Sequence, residues 1–241
     1  MVNDDEGFLY PLIDDSLCVN CGLCIKVCQA VNPVTRGVII NAYAYKHNND
    51  VRKMSSSGGA FTALSDIILI QGGIVVGAGY DEEFFVVHKF AASMAERDEL
   101  RGSKYVQSNL NGCFKRIESI LKQGKPVLFV GTPCQVGGLK NYLSFDYSNL
   151  ITCDLICHGV PSPSVYSDFI DYIKIRIPSK IKSIQFRDKE VAWKGCPMKL
   201  CLSNGKVIAK HQCYAHTLDF FLKVSFYDLF VISVLMQTQR G

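Results

Sequence analysis

Apolar and polar positions repeat with two different periods along most of the chain. Helical spacing predicts one helix within residues 55–73, after a Ser/Gly loop and before Gly72–Gly73. Its apolar side carries Phe61, Leu64, Ile68 and Leu69. Later helices are predicted within residues 112–125, 135–143 and 164–177, and strands within residues 74–80, 84–91, 126–135, 150–163, 181–189 and 198–211.

Strands that alternate with helices indicate an α/β domain. An acidic turn joins the first two strands into an expected hairpin, and Asn204–Gly205 predicts another. Residues 1–36 differ, because they form a short cysteine-rich stretch without this alternation. The predicted fold class is therefore α/β: a small ferredoxin-type cysteine-rich N-terminal module, then an α/β domain with a mixed sheet.

Charge and composition narrow the classes of function. The net charge of +4 comes from scattered Lys and Arg, so we expect no nucleic-acid partner. The longest apolar run, LFVISVLM, is too short for a membrane helix, and the acidic N-terminus lacks a signal peptide's apolar core. We expect a cytoplasmic protein without a membrane partner. Eleven cysteines then favour metal or redox chemistry over disulfides.

The run CVNCGLCIKVC is the strongest motif in the chain. Cys18, Cys21, Cys24 and Cys28 have the spacing of ferredoxin ligands to a 4Fe–4S cluster. In two-cluster ferredoxins the fourth cysteine of such a run binds the other cluster, yet this chain has no second run. Zinc is the main competitor, although zinc sites usually use two separated pairs. Gln29 stands where the usual proline would follow.

Two further motifs follow predicted strands, where α/β sheets bind ligands. In GTPCQ, Gly131 and Thr132 would let a ligand approach the backbone, and Cys134 is a candidate redox group or ligand; a turn with a buried cysteine is the alternative. In CDLICHGVPSP, Cys157 and His158 are adjacent, although neighbours seldom pair as nucleophile and base.

A third motif, SSSGG at residues 55–59, precedes a predicted helix. Its hydroxyl and N–H groups suit a phosphate, and a helix N-cap is the alternative. Near the C-terminus, FRDK with Trp193 would place a cation near a cofactor or simply end a strand.

The ordered set EGFLYP, cysteine run, SSSGG, GTPCQ, CHGVPSP and FRDK resembles the coenzyme F420 hydrogenase/dehydrogenase beta-subunit family up to about residue 223. The resemblance implies an iron–sulfur flavoprotein oxidoreductase that passes electrons between 4Fe–4S clusters and FAD, toward a deazaflavin (coenzyme F420) or other hydride acceptor. It also implies a redox partner, such as a ferredoxin or another iron–sulfur subunit.

The resemblance also assigns residues. Cys18, Cys21 and Cys24 would hold a cluster, with Cys28 directed at a second one. Ser57, Gly58, Gly59, Thr132, Pro133 and Gln135 would lie near the flavin, with Cys134, Cys157 and His158 as candidate catalytic residues. No role is assigned to Cys113, Cys153, Cys196, Cys201 or Cys213.

Both ends depart from the family pattern. Relatives carry an earlier cysteine run, so residues 1–36 are interpreted as a partial 4Fe–4S module and residues 38–223 as an incomplete α/β domain. Residues 224–241 are interpreted as a frameshifted, non-native tail. One back-translation, read one nucleotide earlier from the Lys223 codon, restores the arginine and the C-x2-C pair of the family.

Because the chain is interpreted as a fragment, its own catalytic competence stays open. One alternative is a non-catalytic 4Fe–4S electron-carrier module that docks on a partner. Another is a cysteine-based transferase that uses Cys134 or Cys157, for which the sequence offers no base or oxyanion pattern.

Overall fold

The structure is a computed structural model that describes residues 1–34, 41–189 and 198–210. Four predicted features therefore lie outside the described residues: Trp193, Cys196, Cys213 and the tail 224–241. The strands are β1 Val2–Asn3, β2 Leu9–Tyr10, β3 Ile74–Tyr80, β4 Val86–Ala91, β5 Val127–Gly131, β6 Leu150–Asp154, β7 Ile181–Gln185, β8 Met198–Leu202 and β9 Val207–Lys210. The helices are α1 Leu23–Val27, α2 Asn49–Lys53, α3 Ala60–Ile70, α4 Met94–Glu99, α5 Cys113–Lys122, α6 Pro133–Leu143 and α7 Pro163–Arg176.

The main sheet is mixed, as predicted, with the strand order β4-β3-β5-β6. Strands β3, β5 and β6 run parallel, and β4 returns antiparallel to β3 from the predicted hairpin. Every residue of β5 is buried, because helices cover both faces of the sheet at its centre.

Two apolar layers hold the helices on this sheet. On one face, Ile68 of α3 packs with Val75 and Leu128 of the sheet. On the other face, Ile117 of α5 and Leu139 of α6 share a cluster with the sheet. The predicted apolar side of the first helix is confirmed, since Phe61, Leu64 and Leu69 pack against the first of these clusters.

A second sheet, β7-β8-β9, is antiparallel and separate from the first, which the sequence did not indicate. Its β8–β9 hairpin turns at the predicted Asn204–Gly205. Helix α7 packs against this sheet through Tyr166 and Ile170. None of the helices in the described part of the chain combines the length and the apolar character that crossing a lipid bilayer requires.

The carboxyl edge of the main sheet collects the loops that carry the motifs. Because β3, β5 and β6 are parallel, their last residues lie along one edge. Helix α6 begins directly after β5, and the chain after β6 leads into α7, so GTPCQ and CHGVPSP leave the sheet side by side. The Leu155 N–H donates to the Gly131 carbonyl at 3.0 Å, which ties the two loops together.

Two contacts fix the N-terminal segment near this edge. At the β1–β2 turn, the Glu6 carbonyl accepts hydrogen bonds from the Ser164 N–H at 3.1 Å and from Ser162 Oγ at 2.8 Å, both at the start of α7. At the end of the cysteine run, a Cβ built on Gly137 of α6 would lie 2.1 Å from Gln29 Oε1. The segment therefore touches the second turn of α6 and the first turn of α7, the two helices that follow β5 and β6.

Candidate functional site

The cysteine run forms a tight loop around the short helix α1. Asn20 and Gly22 have positive φ angles of 51° and 69°, which turns the backbone sharply between cysteines. Cys18, Cys21 and Cys24 are exposed, and Cys28, at the end of α1, is half-buried. All four thiols are free.

This donor set fits an iron–sulfur cluster, because soft thiolates are the ligands such clusters use. In the ranges 1–34, 41–189 and 198–210, no three His, Cys, Asp or Glu side chains are already grouped to hold a metal ion. The exposed thiols would therefore have to turn toward a common point. Which of them bind the cluster stays a prediction.

The GTPCQ loop is built as the N-terminal cap of α6. Thr132 and Gln135 form a capping box, in which the Thr132 N–H donates to Gln135 Oε1 at 3.0 Å. Pro133 occupies the first helical turn, which its fixed φ angle favours. Cys134 is exposed, and its Sγ lies 3.0 Å from Thr132 Oγ1.

The structure explains the glycine at position 131 differently from the sequence analysis. A Cβ built on Gly131 would lie 3.0 Å from Gln135 Oε1 and 3.1 Å from the Phe129 ring. The space beside Gly131 is therefore filled by Gln135, whereas we expected it to admit a ligand.

Beneath the loop lies a buried hydrogen-bond chain that sequence reasoning missed. Gln135 Nε2 donates to Ser108 Oγ at 2.9 Å, and Ser108 Oγ lies 2.8 Å from His88 Nδ1. The other ring nitrogen of His88 lies 3.2 Å from the Val130 carbonyl oxygen. In the sequence, His88 reads only as one residue of a strand, so no local signal could link it to residue 135.

Burial lowers the pKa of His88 to about 4. The hydrogen bond to Val130 raises this pKa, and the nearby Lys104 charge lowers it by a smaller amount. The unfolded chain, with a histidine pKa near 6.5, binds this proton more tightly. The free energy of unfolding should therefore fall by about 3 kcal/mol as the pH drops from roughly 7 to 4. Urea titrations of wild type and His88→Gln at several pH values check this: the variant should lose that part of the pH dependence. Parallel curves for the two proteins would contradict it.

Cys157 and His158 are both exposed beyond the end of β6. The Gly159 N–H donates to Cys157 Sγ at 3.4 Å. Among the described contacts, no hydrogen bond joins Cys157 to His158, and Cys134 pairs with the hydroxyl of a threonine. Neither thiol therefore has the adjacent base that a nucleophilic cysteine needs, which weighs against the transferase hypothesis.

The two glycines of the SSSGG loop pack closely against residues 45–51. Gly59, the last residue of the motif, is the N-cap of α3 with φ 91° and without a side-chain cap, so SSSGG does form the helix N-cap, through a glycine. A Cβ built on Gly58 would lie 2.6 Å from the Tyr45 carbonyl oxygen. Both glycines therefore allow close approach of residues 45–51. The cation of FRDK reaches this loop, since Lys189 Nζ donates to the Ser57 carbonyl at 2.8 Å.

A cleft of about 310 Å³ lies between the SSSGG loop, the end of β3, the segment after α4, and sheet β7-β8-β9. Ser55 and Ser56 line it, whereas Ser57, Gly58 and Gly59 do not. Its basic side chains are Lys53, Arg101, Lys104, Arg187 and Lys199, against the carboxylates Asp98 and Asp188. We call it the basic cleft.

The basic cleft contains one orphaned polar group. The Tyr80 hydroxyl is buried and has no hydrogen-bond partner among the described residues. Burial raises the pKa of Tyr80 well above its ordinary value, so the hydroxyl keeps its proton and is available as a donor. An unpaired buried hydroxyl costs free energy unless a ligand or water completes it.

The predicted residues therefore divide into two groups. Thr132, Pro133, Cys134 and Gln135 lie on one loop, directly beside the loop of Cys157 and His158. Ser57, Gly58 and Gly59 lie at the start of α3, linked to FRDK rather than to the GTPCQ loop. The cysteine run approaches the first group through Gln29. Sequence patterns did not single out His88, Ser108, Tyr80 or Lys104 as candidate site residues.

Comparisons with known proteins identify two regions. Residues 124–223 match the family described as the C terminus of the coenzyme F420 hydrogenase/dehydrogenase beta subunit, and residues 11–31 match the 4Fe–4S binding domain. A coenzyme F420-dependent sulfite reductase of Methanocaldococcus jannaschii is 30% identical over 158 residues, which are 62% of this chain and 24% of that protein. The chain thus matches about a quarter of the length of this curated relative.

Among solved structures, a chain of the xenon-derivatised F420-reducing NiFe hydrogenase complex of Methanosarcina barkeri superposes with a TM-score of 0.45 and 19% identity, covering 68% of this chain and 57% of that one. The family match spans β5 to the end of the described residues, and the iron–sulfur match contains all four cysteines of the run. Over residues 124–223 the chain is therefore similar to the C-terminal part of the coenzyme F420 hydrogenase/dehydrogenase beta-subunit family, and it carries a match to a 4Fe–4S binding domain at residues 11–31.

Proposed function

We propose that this chain passes electrons between a 4Fe–4S cluster on the cysteine run and a flavin at the carboxyl edge of the main sheet, toward a deazaflavin or other hydride acceptor. The observation that carries the proposal is the contact of Gln29 with Gly137. Gly137 lies about one helical turn from Cys134, so the cysteine run sits close to the GTPCQ loop.

The anchor at the other end of the N-terminal segment supports the same arrangement. Ser162 and Ser164, which hold the β1–β2 turn, belong to the loop and helix that follow Cys157 and His158. The segment thus bridges the second turn of α6 and the start of α7. Ligands of α/β sheets bind at this edge, so a cluster and a cofactor would be neighbours here.

The described residues fit a flavin that carries phosphate groups. Such a cofactor, when bound, collects single electrons and delivers them in pairs as a hydride. Arg101 and Lys53 of the basic cleft offer cationic donors for its phosphates, and Ser56 lies beside them. The Tyr80 hydroxyl would donate the hydrogen bond that it lacks.

Each group of residues would have a separate role, set by its place in the fold. Cys18, Cys21 and Cys24 would hold the cluster, with Cys28 at the junction to α6. Thr132 and Gln135 would orient the loop that carries Cys134 next to the cofactor. Lys189 would hold the SSSGG loop at the rim of the cleft.

A second candidate is a non-catalytic electron carrier that docks on a redox partner. It is favoured by one observation: the N-terminal segment exposes apolar side chains, among them Leu17 at 78% and Val19 at 83%. Flavin content separates the two candidates. After anaerobic purification and removal of the cluster, a retained yellow chromophore supports the oxidoreductase, and a colourless protein that rejects added FAD supports the carrier.

Replacing Gly137 by leucine tests the route of the electrons. Even a Cβ at this position would collide with the Gln29 amide, so a leucine should push the cysteine run away from α6. We expect the flavin to be reduced by the cluster about tenfold more slowly or worse, because small displacements strongly affect reactions that depend on positioning. Stopped-flow absorbance of the reconstituted protein measures this rate.

Gly138→Ala is the matched control on the same helix. A Cβ there would lie 3.5 Å from the Phe114 ring, an ordinary contact, and would not meet the cysteine run. Iron, sulfide and flavin contents should equal the wild-type values in both variants. Wild-type rates in Gly137→Leu, at full cofactor content, would exclude this route.

A further inference from the structure

The buried hydrogen-bond chain links four residues in the order His88, Ser108, Gln135 and Thr132. His88 Nε2 lies 3.2 Å from the Val130 carbonyl, Ser108 Oγ lies 2.8 Å from His88 Nδ1, and Gln135 Nε2 donates to Ser108 Oγ at 2.9 Å. The Thr132 N–H then donates to Gln135 Oε1 at 3.0 Å. His88 and Ser108 are each buried.

Only one set of proton positions satisfies every member of this chain. A carbonyl oxygen only accepts, so the His88 proton must sit on Nε2, and Nδ1 must accept from the Ser108 hydroxyl. The Ser108 oxygen is then free to accept from the Gln135 amide nitrogen. This leaves the amide oxygen of Gln135 facing the Thr132 N–H.

Packing restricts the first and third members, His88 and Gln135. The His88 ring stacks on Phe129 with centroids 5.3 Å apart, and the absence of a side chain at Gly131 makes room for the Gln135 amide. Buried chains of this kind fix one arrangement, because an alternative would leave polar groups unpaired. The chain ends on the one loop that carries Cys134.

We propose that His88 and Ser108 are positioning residues for the Thr132–Gln135 loop: they fix the Gln135 amide, which in turn holds the Thr132 N–H and the thiol of Cys134 in place. They touch no substrate and act only through Gln135. The expected effect of these hydrogen bonds on electron transfer rests on the proposed function, whereas their effect on the loop does not.

Hydrogen exchange of the full-length protein, followed by mass spectrometry, tests the proposal. In Ser108→Ala, the amides of residues 131, 132 and 134–136 should exchange about tenfold faster, since the hydrogen bond that orients Gln135 is lost. Ser108→Thr keeps the hydroxyl and should restore the slow rate. His88→Phe should behave like Ser108→Ala, and His88→Gln, with both a donor and an acceptor, should recover protection in part.

Helix α7 is the internal reference, because it packs in a different cluster from Phe129. Its exchange should not change in Ser108→Ala. The proposal is overturned if residues 131–136 keep their wild-type rate in Ser108→Ala, if Ser108→Thr exchanges as fast as Ser108→Ala, or if α7 accelerates equally. Flavin reduction by the cluster should slow in Ser108→Ala and recover in Ser108→Thr; failure of that arm alone, with the exchange result intact, counts against the proposed function.

Discussion

Replacing Cys21 by serine is expected to abolish assembly of the 4Fe–4S cluster. Cys21 occupies the turn between Asn20 and Gly22, and its thiol is exposed and free. A serine hydroxyl is a hard and weakly acidic donor that replaces a thiolate poorly on iron. After anaerobic reconstitution, the variant should show a loss of nearly all protein-bound iron and sulfide, and of the electron paramagnetic resonance signal of the reduced cluster.

Cys201→Ser is the matched control, because Cys201 is half-buried on β8 in the other sheet. It should assemble the cluster as the wild type does. Cys28→Ser answers a narrower question: full assembly in this variant would support the interpretation that Cys28 is directed at a second cluster.

The competing zinc hypothesis makes a different prediction for the same measurement. Wild-type protein that carries zinc without sulfide would contradict the iron–sulfur assignment. So would a Cys21→Ser variant that keeps its full iron and sulfide content. The match of residues 11–31 to the 4Fe–4S binding domain favours iron.

Local patterns were enough to predict most of the elements of the α/β part. The fully apolar run of β5 and the helical spacing of Tyr166, Phe169 and Ile170 in α7 each reflect one dominant periodicity. The separate antiparallel sheet was not predictable in this way, because strand periodicity does not specify which strands become neighbours. Helix α4 was also missed, although Ser93 and Glu96 form a capping box that signals its start.

The candidate site was predictable only as far as its residues are close in sequence. GTPCQ and CHGVPSP were found because each follows a buried strand, and parallel pairing then places them side by side. Contacts between distant segments had no local signal: Gln29 meets Gly137, and His88 meets Ser108 beneath Gln135. These distant contacts carry the two proposals above.

The largest effect on stability is expected at Arg97. This side chain is only 3% exposed; its guanidinium donates to Asp66 at 2.7 Å, to Asp98 at 2.7 Å and to the Thr62 carbonyl at 3.2 Å. It thereby fastens α4 to α3, the helix that begins at the SSSGG loop. Arg97→Met keeps much of the apolar stem but removes all three bonds.

Losing these three bonds should lower the free energy of unfolding by about 3 kcal/mol, because hydrogen bonds of a buried charged group are lost. The effect is smaller than for a fully buried ion pair, since the Asp66 and Asp98 side chains are 32% and 46% exposed and Asp98 keeps its pair with Arg101. The exposed Arg116, which lies 4.0 Å above the Phe90 ring, provides the control: Arg116→Met should cost about 1 kcal/mol or less. Urea unfolding of both variants measures the difference. Equal losses would mean that Arg97 contributes only what a surface arginine does, and that α3 is held in place by its apolar face alone.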